Sequence, residues 1–465
     1  MKKHALQLSL ILLSVVALTA AGVSLFKAAQ ESGAANLFDS TPASQEESVP
    51  LSYETRISKG DQLYNAAFFD LAATEFALAI KIDDKQSEAH RKLGKTYWKL
   101  LKYSDALYEL ERAYELDPGD DNRSNYGLAL IRTDNVELAK EILSKVGENH
   151  QSGQFILGLL FAYEGDYENA KIKFSKAGSL SGPILPALIQ NFQNAFAAYE
   201  AQQGGQDIYL RALLIKAMVD AEEFPLAENL ALKVLNEKND YRDVWVLLGY
   251  SQLKMKKLSE AEDAFKEAKS LDAVKPETHY FLGITHYEQG EYSEAVDSFE
   301  LALLYDFEPE SEAYRKLAES QNFLGNFEDS LAAYEYLVKI DQSDVNLFAE
   351  PLRIAMDILG DLDRALTLAA ESTSYFPGEA ASHTYLANVY IKRGELDLAL
   401  TAVDTALDID PNSAEAHFTL GELKLAQGNN EEAKDEFKKS YELSKPGDAL
   451  SVEAAERYNS LITPQ

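Results

Sequence analysis

The sequence contains no cysteine among its 465 residues. This absence excludes disulfides, cysteine-based zinc sites, thiol catalysis and a lipid-modified N-terminal cysteine. Basic residues are also scarce, 44 against 76 acidic residues, so the formal net charge is −32. A protein with this charge repels phosphate backbones and anionic lipid surfaces. Nucleic acid is therefore not expected as a partner.

The common catalytic motifs are missing as well. The chain has no HExxH, no G-x-S-x-G and no G-x-G-x-x-G sequence. Its many carboxylates are spread along helical patterns, where they most often serve solvation. We therefore expect neither an enzyme nor a cofactor.

One stretch fits the looser form of the phosphate-binding loop. In AHRKLGKT, residues 89–96, Gly94, Lys95 and Thr96 stand where the motif has its glycine, its phosphate-binding lysine and its Mg²⁺-binding hydroxyl. Yet no strand precedes Gly94, which falls in register with a series of repeated small residues. A helix interior cannot cradle phosphate, because its N–H groups are bonded within the helix. The pattern therefore predicts no nucleotide site.

The N-terminus carries an apolar segment. Lys2 and Lys3 precede residues 5–26, in which no side chain carries a formal charge. At ~1.5 Å per residue this segment is long enough to cross a bilayer core of roughly 30 Å. Residues 1–27 are therefore predicted to be a signal-anchor or transmembrane helix. The alternative is a signal peptide cleaved near 19–21, and either one places the rest of the chain outside the cytoplasm.

The body of the chain is periodic. Small residues recur 34 or 35 residues apart over long stretches, at positions 249, 283 and 318 and again at 387 and 421. Twelve residues after each comes another small residue, and an apolar or aromatic one follows four further on, as in Gly283, Ala295 and Phe299. Turn-forming glycines separate the two halves of many units. Each unit is therefore predicted to be two amphipathic helices, A and B, joined by a tight turn.

This arrangement resembles the tetratricopeptide repeat family, whose 34-residue helix–turn–helix unit carries small and aromatic residues in this order. The resemblance implies an all-α, right-handed solenoid of stacked repeats, in which each unit buries its apolar face against neighbours. It also implies that the small residue at the eighth place of helix A packs against the small residue of helix B. The aromatic that follows is expected to fill the space toward the next unit.

About eleven units are predicted. After a flexible linker at 28–52, about four units occupy residues 53–180 and about seven occupy 208–447. Residues 448–465 are predicted to form a capping helix and tail. Between the two blocks, residues 181–207 break the spacing with prolines and glycines around one apolar-periodic helix. An inserted helix, a hinge and a degenerate repeat are the alternatives for this segment.

The histidines follow the repeat. His90, His279, His383 and His417 occupy the fourth place of their units, where other units have tryptophan or tyrosine. Such a place favours a flat, half-buried ring, and units this far apart cannot share one ion. No metal site is predicted.

Groove residues follow from the resemblance. In that family, helix A side chains at the second, fifth, ninth and twelfth places line an inner groove that binds segments of partner proteins. Transferred to this sequence, these places predict partner contacts at Arg91, Lys95, Trp98, Tyr250, Tyr280, Tyr287, Arg315, Asn322, Asn388 and Phe418. Some of these side chains are expected only to pack against neighbouring units.

One part of the predicted groove is basic. RKLGKTYWKLLK, residues 91–102, holds five basic residues and no acidic one. Helical spacing places Arg91, Lys95, Trp98 and Lys102 along one surface, the basic face. This face is predicted to receive an acidic segment of a partner. The alternative is that it binds the chain's own acidic linker or neighbouring acidic repeats.

The sequence thus predicts a non-enzymatic, membrane-tethered scaffold for protein–protein interaction that presents its repeats outside the cytoplasm. In bacteria the resemblance would suit envelope assembly or secretion. The alternative is an envelope carrier module whose groove holds a glycan, a peptidoglycan fragment or a lipid. Tyr280 and Tyr287 fit either function, but Arg315 and Asn322 follow them, and such alternation of aromatic and polar residues favours a protein ligand.

Overall fold

The computed structural model describes residues 51–202, 207–445 and 447–462, which form 24 α-helices and no strand. The predicted all-α class, with helical hairpins stacked along the chain, is confirmed. The predicted anchor at 1–27 and nearly all of the predicted linker lie outside the described residues, so both stay predictions. Within the described ranges, no helix combines the length and the apolar character that crossing a membrane requires.

Contacts between helices divide the described chain into two regions. The first region comprises residues 51–273 and the second region comprises residues 274–462. The predicted insert at 181–207 lies inside the first region, and the predicted block boundaries there stay predictions. Each region is described by itself.

The first region contains thirteen helices. They are α1 (Tyr53–Asn65), α2 (Phe69–Ile82), α3 (Ser87–Lys99), α4 (Tyr103–Leu116), α5 (Asp120–Arg132), α6 (Val136–Leu143), α7 (Gln151–Glu164), α8 (Tyr167–Gly178), α9 (Pro186–Ala201), α10 (Asp207–Asp220), α11 (Phe224–Glu237), α12 (Arg242–Lys254) and α13 (Leu258–Leu271). All are paired into hairpins except α9, the helix of the predicted insert. Pro186 begins α9, where its missing N–H costs nothing because the first turn has no partner for it.

The second region contains eleven helices. They are α14 (Pro276–Gln289), α15 (Tyr292–Leu304), α16 (Glu310–Phe323), α17 (Phe327–Ile340), α18 (Ala349–Arg353), α19 (Leu362–Tyr375), α20 (Ala380–Arg393), α21 (Leu396–Ile409), α22 (Ala414–Ala426), α23 (Asn430–Leu443) and α24 (Ala449–Ile462). Helix α18 lies between a 3₁₀ turn at Val345–Phe348 and a π turn at Ile354–Ile358. Pro351 in α18 lacks the N–H of a regular helix, which is a sequence signal for this irregularity.

The eighth-place glycines bring the two helices of a hairpin together. A Cβ on Gly283 would lie 2.7 Å from the ring of Phe299, and one on Gly94 would lie 2.7 Å from Leu110. The side chain sixteen residues after the glycine therefore lies directly over it. The predicted contact of the small residue in helix B is present at Gly94, where a Cβ would lie 3.1 Å from the carbonyl oxygen of Ala106. The prediction was wrong only in directing the aromatic toward the next unit, since Phe299 lies over Gly283 of its own hairpin.

Four of the fourth-place rings contact the backbone that leads into their own units. The Trp245 indole N–H donates to the carbonyl oxygen of Asn239 at 2.8 Å, and the Nε2 atoms of His90, His383 and His417 lie 3.1–3.2 Å from carbonyl oxygens at the same offset, six residues earlier. A ring N–H is what tryptophan and histidine share at this place. Hydrogen bonding, in addition to ring shape, therefore explains the pattern.

The turns between helices A and B differ between the regions. Each needs a residue with positive φ. In the second region that residue is glycine at 290, 325, 360, 394 and 428. In the first region it is Gly165 once, and otherwise Ala67, Leu101, Asp134, Glu222 and Lys256, with φ between 58° and 61°. A side chain in this conformation strains the backbone.

Candidate functional site

Helix α3 presents Arg91 and Lys95 one turn apart. Among the described residues neither side chain has an ion-pair partner, and Lys95 is exposed. Surrounding protein atoms, followed by the positive charges of Arg91 and Lys92, lower the pKa of Lys95 although its side chain reaches solvent. Asp121 partly offsets this effect, but its carboxylate accepts a hydrogen bond from His150 at 3.0 Å. Cations therefore crowd here, and an incoming anion would be stabilised.

Two other basic residues of the 91–102 segment are neutralised. The Lys92 ammonium donates to Asp61 at 2.6 and 2.8 Å, and Lys99 donates to Glu222 at 2.5 Å. These residues do not offer charge to a ligand.

Lys102 does not lie on the face of α3, so its place in the basic face was wrong. Helix α3 ends at Lys99, and Leu101 has φ of 59°, which turns the chain before Lys102 caps α4. The Lys102 ammonium lies 4.0 Å from the Asp70 carboxylate and 5.7 Å from the centroid of the Tyr97 ring. No glycine marks this turn, which explains why helical spacing was continued past it.

Trp98 is covered within the first region. Its ring lies 4.8 Å from that of Tyr103, and the Arg132 guanidinium lies 4.4 Å from its centroid. Arg132 in turn donates two hydrogen bonds, of 2.7 and 2.8 Å, to the buried carboxylate of Glu223. Charge-assisted pairs of this geometry are the stronger kind. This end of the basic face therefore binds an acidic residue of the chain itself.

Glu222 and Glu223 belong to the turn between α10 and α11, and we call this pair the acidic turn. Lys99 and Arg132 occupy the thirteenth place of helix A in successive units, and Glu222 and Glu223 pair with them in order. The alternative that acidic repeats of the chain itself satisfy part of the basic segment is thus realised at Lys92, which binds Asp61, and at Lys99, which binds Glu222, whereas Arg91 and Lys95 remain open.

Tyr250 and Tyr280 are not available to a ligand, because each is only 4% exposed. Tyr280 stacks on Phe307 with centroids 4.1 Å apart, and its hydroxyl donates to Glu312 at 3.0 Å. Lys254 lies 5.2 Å from the centroid of the Tyr250 ring. Both predicted groove residues serve packing.

Arg315 and Asn322 connect neighbouring segments of the second region. Arg315 lies 3.4 Å from Asp341, and the Asn322 amide donates to Glu350 at 2.8 Å. Arg353 also binds Glu350, so these polar groups largely satisfy one another. They link repeats and offer a ligand little free capacity.

Asn388 and Phe418 are half-buried. The Phe418 ring lies 5.3 Å from that of Phe437 in the same hairpin. The predicted groove residues of the tenth and eleventh units thus remain partly accessible, and their role as partner contacts stays a prediction.

Tyr287 belongs to an aromatic cluster that the sequence prediction missed. Tyr292 and Phe323 stack with centroids 4.5 Å apart and planes 8° from parallel, and Tyr287 meets both edgewise at 5.6 and 6.0 Å. Phe323 is 61% exposed. The signal was available in the sequence, because these residues stand at the twelfth, seventeenth and next thirteenth places of the repeat.

A cavity of about 360 Å³ lies in the first region beside Tyr163 and Tyr167. Its Arg211 donates to Glu237 at 2.7 and 2.5 Å, and its Lys233 ammonium lies 3.6 Å from the centroid of the Tyr163 ring. The cations of this cavity are engaged by its own walls.

Family models match part of the chain. Models described as tetratricopeptide repeat match residues 243–275, 276–308 and 414–446, and one described as TPR repeat matches 387–428. The chain therefore contains tetratricopeptide repeats, as predicted.

Two proteins show the extent of the sequence similarity. The Superkiller complex protein 3 of Mus musculus is 26% identical over 226 residues, which cover 46% of this chain and 14% of that protein. The TPR repeat-containing protein YpiA of Bacillus subtilis is 26% identical over 258 residues, which cover 47% of this chain and 58% of that protein. The matched parts thus span less than two thirds of either relative.

The solved structures to which this chain is similar include YrrB, described as a TPR protein with an unusual peptide-binding site. It is 22% identical with a TM-score of 0.34, over 40% of this chain and 95% of that chain. Yeast Tom70 is 16% identical with a TM-score of 0.29, over 88% and 95%. Likenesses at this level say nothing about what this chain binds.

Proposed function

We propose that this chain, which contains tetratricopeptide repeats, is a non-enzymatic scaffold whose helix α3 binds an acidic segment of a partner protein. Such repeats typically mediate protein–protein interactions. The observation that carries the proposal is the pair Arg91 and Lys95, which has no ion-pair partner among the described residues in a chain of net charge −32. Burial, and after it the positive charges of Arg91 and Lys92, lower the pKa of Lys95, and carboxylates of a partner would offset both effects.

A labelled peptide of alternating glutamate and glycine tests this function by fluorescence anisotropy with the full chain. Arg91→Glu combined with Lys95→Glu is expected to weaken binding at least about tenfold, because two charge-assisted contacts are reversed. Lys81→Glu with Lys85→Glu is the matched control, since both lysines are exposed in the first region and the change in charge is the same. An equal loss with both double variants, or no loss with either, would overturn the proposal.

We further propose that residues 5–26 tether the scaffold to a membrane with the repeats outside the cytoplasm, in envelope assembly or secretion. The uncharged length of this segment and the lysines before it support the proposal. Removing residues 5–26 is expected to shift the chain from the membrane fraction to the soluble fraction in cells. A chain that stays in the membrane fraction after this deletion would contradict the tether. Repeats that resist an added protease in intact cells, once any outer barrier is opened, would contradict their place outside the cytoplasm.

A further inference from the structure

Phe323 is the most exposed aromatic side chain among the described residues of the second region, and it contacts the half-buried rings of Tyr287 and Tyr292. We call these three residues the aromatic platform. The Tyr292 ring stacks in parallel on one side of the Phe323 ring, with the two centroids 4.5 Å apart. Phe323 is 61% exposed, although burying a phenylalanine side chain would be favourable. The platform therefore presents a fixed ring with an accessible surface.

The same three places of the repeat are filled differently in the first region. Trp98, Tyr103 and Arg132 stand at the twelfth, seventeenth and next thirteenth places, where Tyr287, Tyr292 and Phe323 stand in the second region. There the rings hold a guanidinium, with Arg132 lying 4.4 Å from the Trp98 centroid, and Glu223 covers it. In the second region Phe323 takes the place of this guanidinium against the aromatic pair, and no residue described there covers it as Glu223 covers Arg132.

The surroundings of the platform attract cations. The second region carries 37 acidic and 14 basic residues, whereas the first region carries 35 and 27. Glu288 and Glu291 are exposed beside Tyr287 and Tyr292 in the chain. The Lys316 ammonium lies 4.5 Å from the centroid of the Tyr287 ring and donates to Glu319 at 2.6 Å. One cation of the chain therefore already contacts a ring of the platform. Charge complementarity therefore selects a basic ligand.

We propose that the aromatic platform is a docking site for an arginine-bearing segment of a partner protein. A guanidinium stacks on the exposed ring of Phe323, in the kind of contact that Arg132 makes with Trp98, and the acidic surface of the second region favours its charge. The site is independent of Arg91 and Lys95 and takes a ligand of opposite charge, so it goes beyond the proposed function of helix α3.

A labelled peptide of alternating arginine and glycine is the probe, measured by fluorescence anisotropy with the full chain. Phe323→Ala is expected to weaken binding about three- to tenfold, the range of a partly desolvated cation–π contact. Circular dichroism and the midpoint of thermal unfolding confirm that the variant is folded. An unchanged affinity with Phe323→Ala would overturn the proposal.

A second pair of variants separates the ring from bulk charge. Phe323→Arg places a cation where the first region has Arg132, and it is expected to weaken binding of the arginine peptide at least about tenfold. Leu304→Arg, at a side chain 69% exposed in the same region, makes the same change in net charge and is expected to alter affinity less than about twofold. Equal losses from the two substitutions would show that only net charge is sensed, and would overturn the proposal. Arg91→Glu with Lys95→Glu is expected to leave this peptide within about twofold of wild type.

Discussion

The first and second regions are built from the same helical hairpin, but they differ in whether equivalent surface residues are covered by other residues of the chain. In the first region, an aromatic pair holds Arg132, and the acidic turn covers it. In the second region, the equivalent aromatic pair supports Phe323, which is exposed. The second region is also the more acidic, with 37 acidic against 14 basic residues compared with 35 against 27.

This difference lies at one place of the repeat, the thirteenth residue of helix A, which is Arg132 in one unit and Phe323 in the other. The hairpin geometry fixes where the thirteenth residue of helix A lies, above the aromatic residues of the preceding unit. A cation there recruits carboxylates from within the chain, and a phenylalanine leaves the surface open. Repeat arrays can therefore change partners through single positions while the packing between helices A and B stays the same.

The buried ring of a hairpin gives the largest expected effect. Phe299→Ala in the second region should lower the free energy of unfolding by about 3–5 kcal/mol, because Phe299 is fully buried over Gly283. Phe323→Ala is the matched control in the same region, and its loss should stay below about 1.5 kcal/mol because the ring is exposed. Urea unfolding followed by circular dichroism measures both. Similar losses would contradict the distinction between a packing ring and a docking ring.

Breaking the Arg132–Glu223 pair should give the next largest effect. Arg132→Ala leaves the Glu223 carboxylate buried without its partner and should cost about 3 kcal/mol. Lys99→Ala removes the neighbouring exposed pair with Glu222 and should cost less than about 1 kcal/mol. Both tryptophans of the chain, Trp98 and Trp245, lie in the first region, so their fluorescence during urea unfolding reports on it. If Arg132→Ala lowers the free energy of unfolding no more than Lys99→Ala does, the proposed ion pair between Arg132 and the buried Glu223 is contradicted.

Substitutions in the turns between helices A and B should change stability by smaller amounts, and with opposite signs in the two regions. Gly290→Ala should lower stability by about 1 kcal/mol, because φ is 79° there even though space for a Cβ is open. Leu101→Gly should instead raise stability by up to about 1 kcal/mol, since it removes the same strain from the first region. Thermal unfolding of the two variants beside wild type measures both signs. A destabilising Leu101→Gly would mean that contacts of the Leu101 side chain outweigh the strain.

Replacing Lys95 should give the smallest change in the free energy of unfolding, and that change should depend on pH. Its pKa is lowered in the folded protein, so between that value and the ordinary value near ~10.4 the unfolded chain binds more protons, and stability rises with pH across this window. Lys95→Met removes the titrating group. The variant should therefore be more stable than wild type at pH 7, by less than about 1 kcal/mol after solvent screening, and its stability should rise less between pH 7 and 10. A steeper rise in the variant would show that the sign is wrong.

The fold could be predicted from the sequence because the spacing of small and aromatic residues is imposed by packing within each hairpin. The direction of Phe299 was misassigned, since spacing identifies the two close residues of helix B without showing that the ring of the second one lies over Gly283. Lys102 was misplaced because Leu101 adopts positive φ without the glycine that usually announces such a turn. Local pattern thus fails where one residue departs from its ordinary conformation.

The pairing of Arg132 with Glu223 could not be predicted, because the two residues lie 91 positions apart, with the hairpin α7–α8 and the single helix α9 between their own hairpins. Periodicity carries no information on where the chain turns back on itself. The aromatic platform, in contrast, was within reach. Aligning Phe323 with Arg132 by repeat place would have found it, but the four family groove places do not include the thirteenth.

Hydrogen–deuterium exchange of the full chain with each of the two peptides tests the contrast between the regions most directly. The glutamate peptide should slow exchange in α3 around Arg91 and Lys95, and the arginine peptide should slow it near the end of α16 and the start of α15. Two separate footprints of this kind are the expected result. Protection of the same segment by both peptides, or the reverse assignment of peptides to regions, would contradict the claim that the first region offers basic and the second region aromatic and acidic binding surfaces.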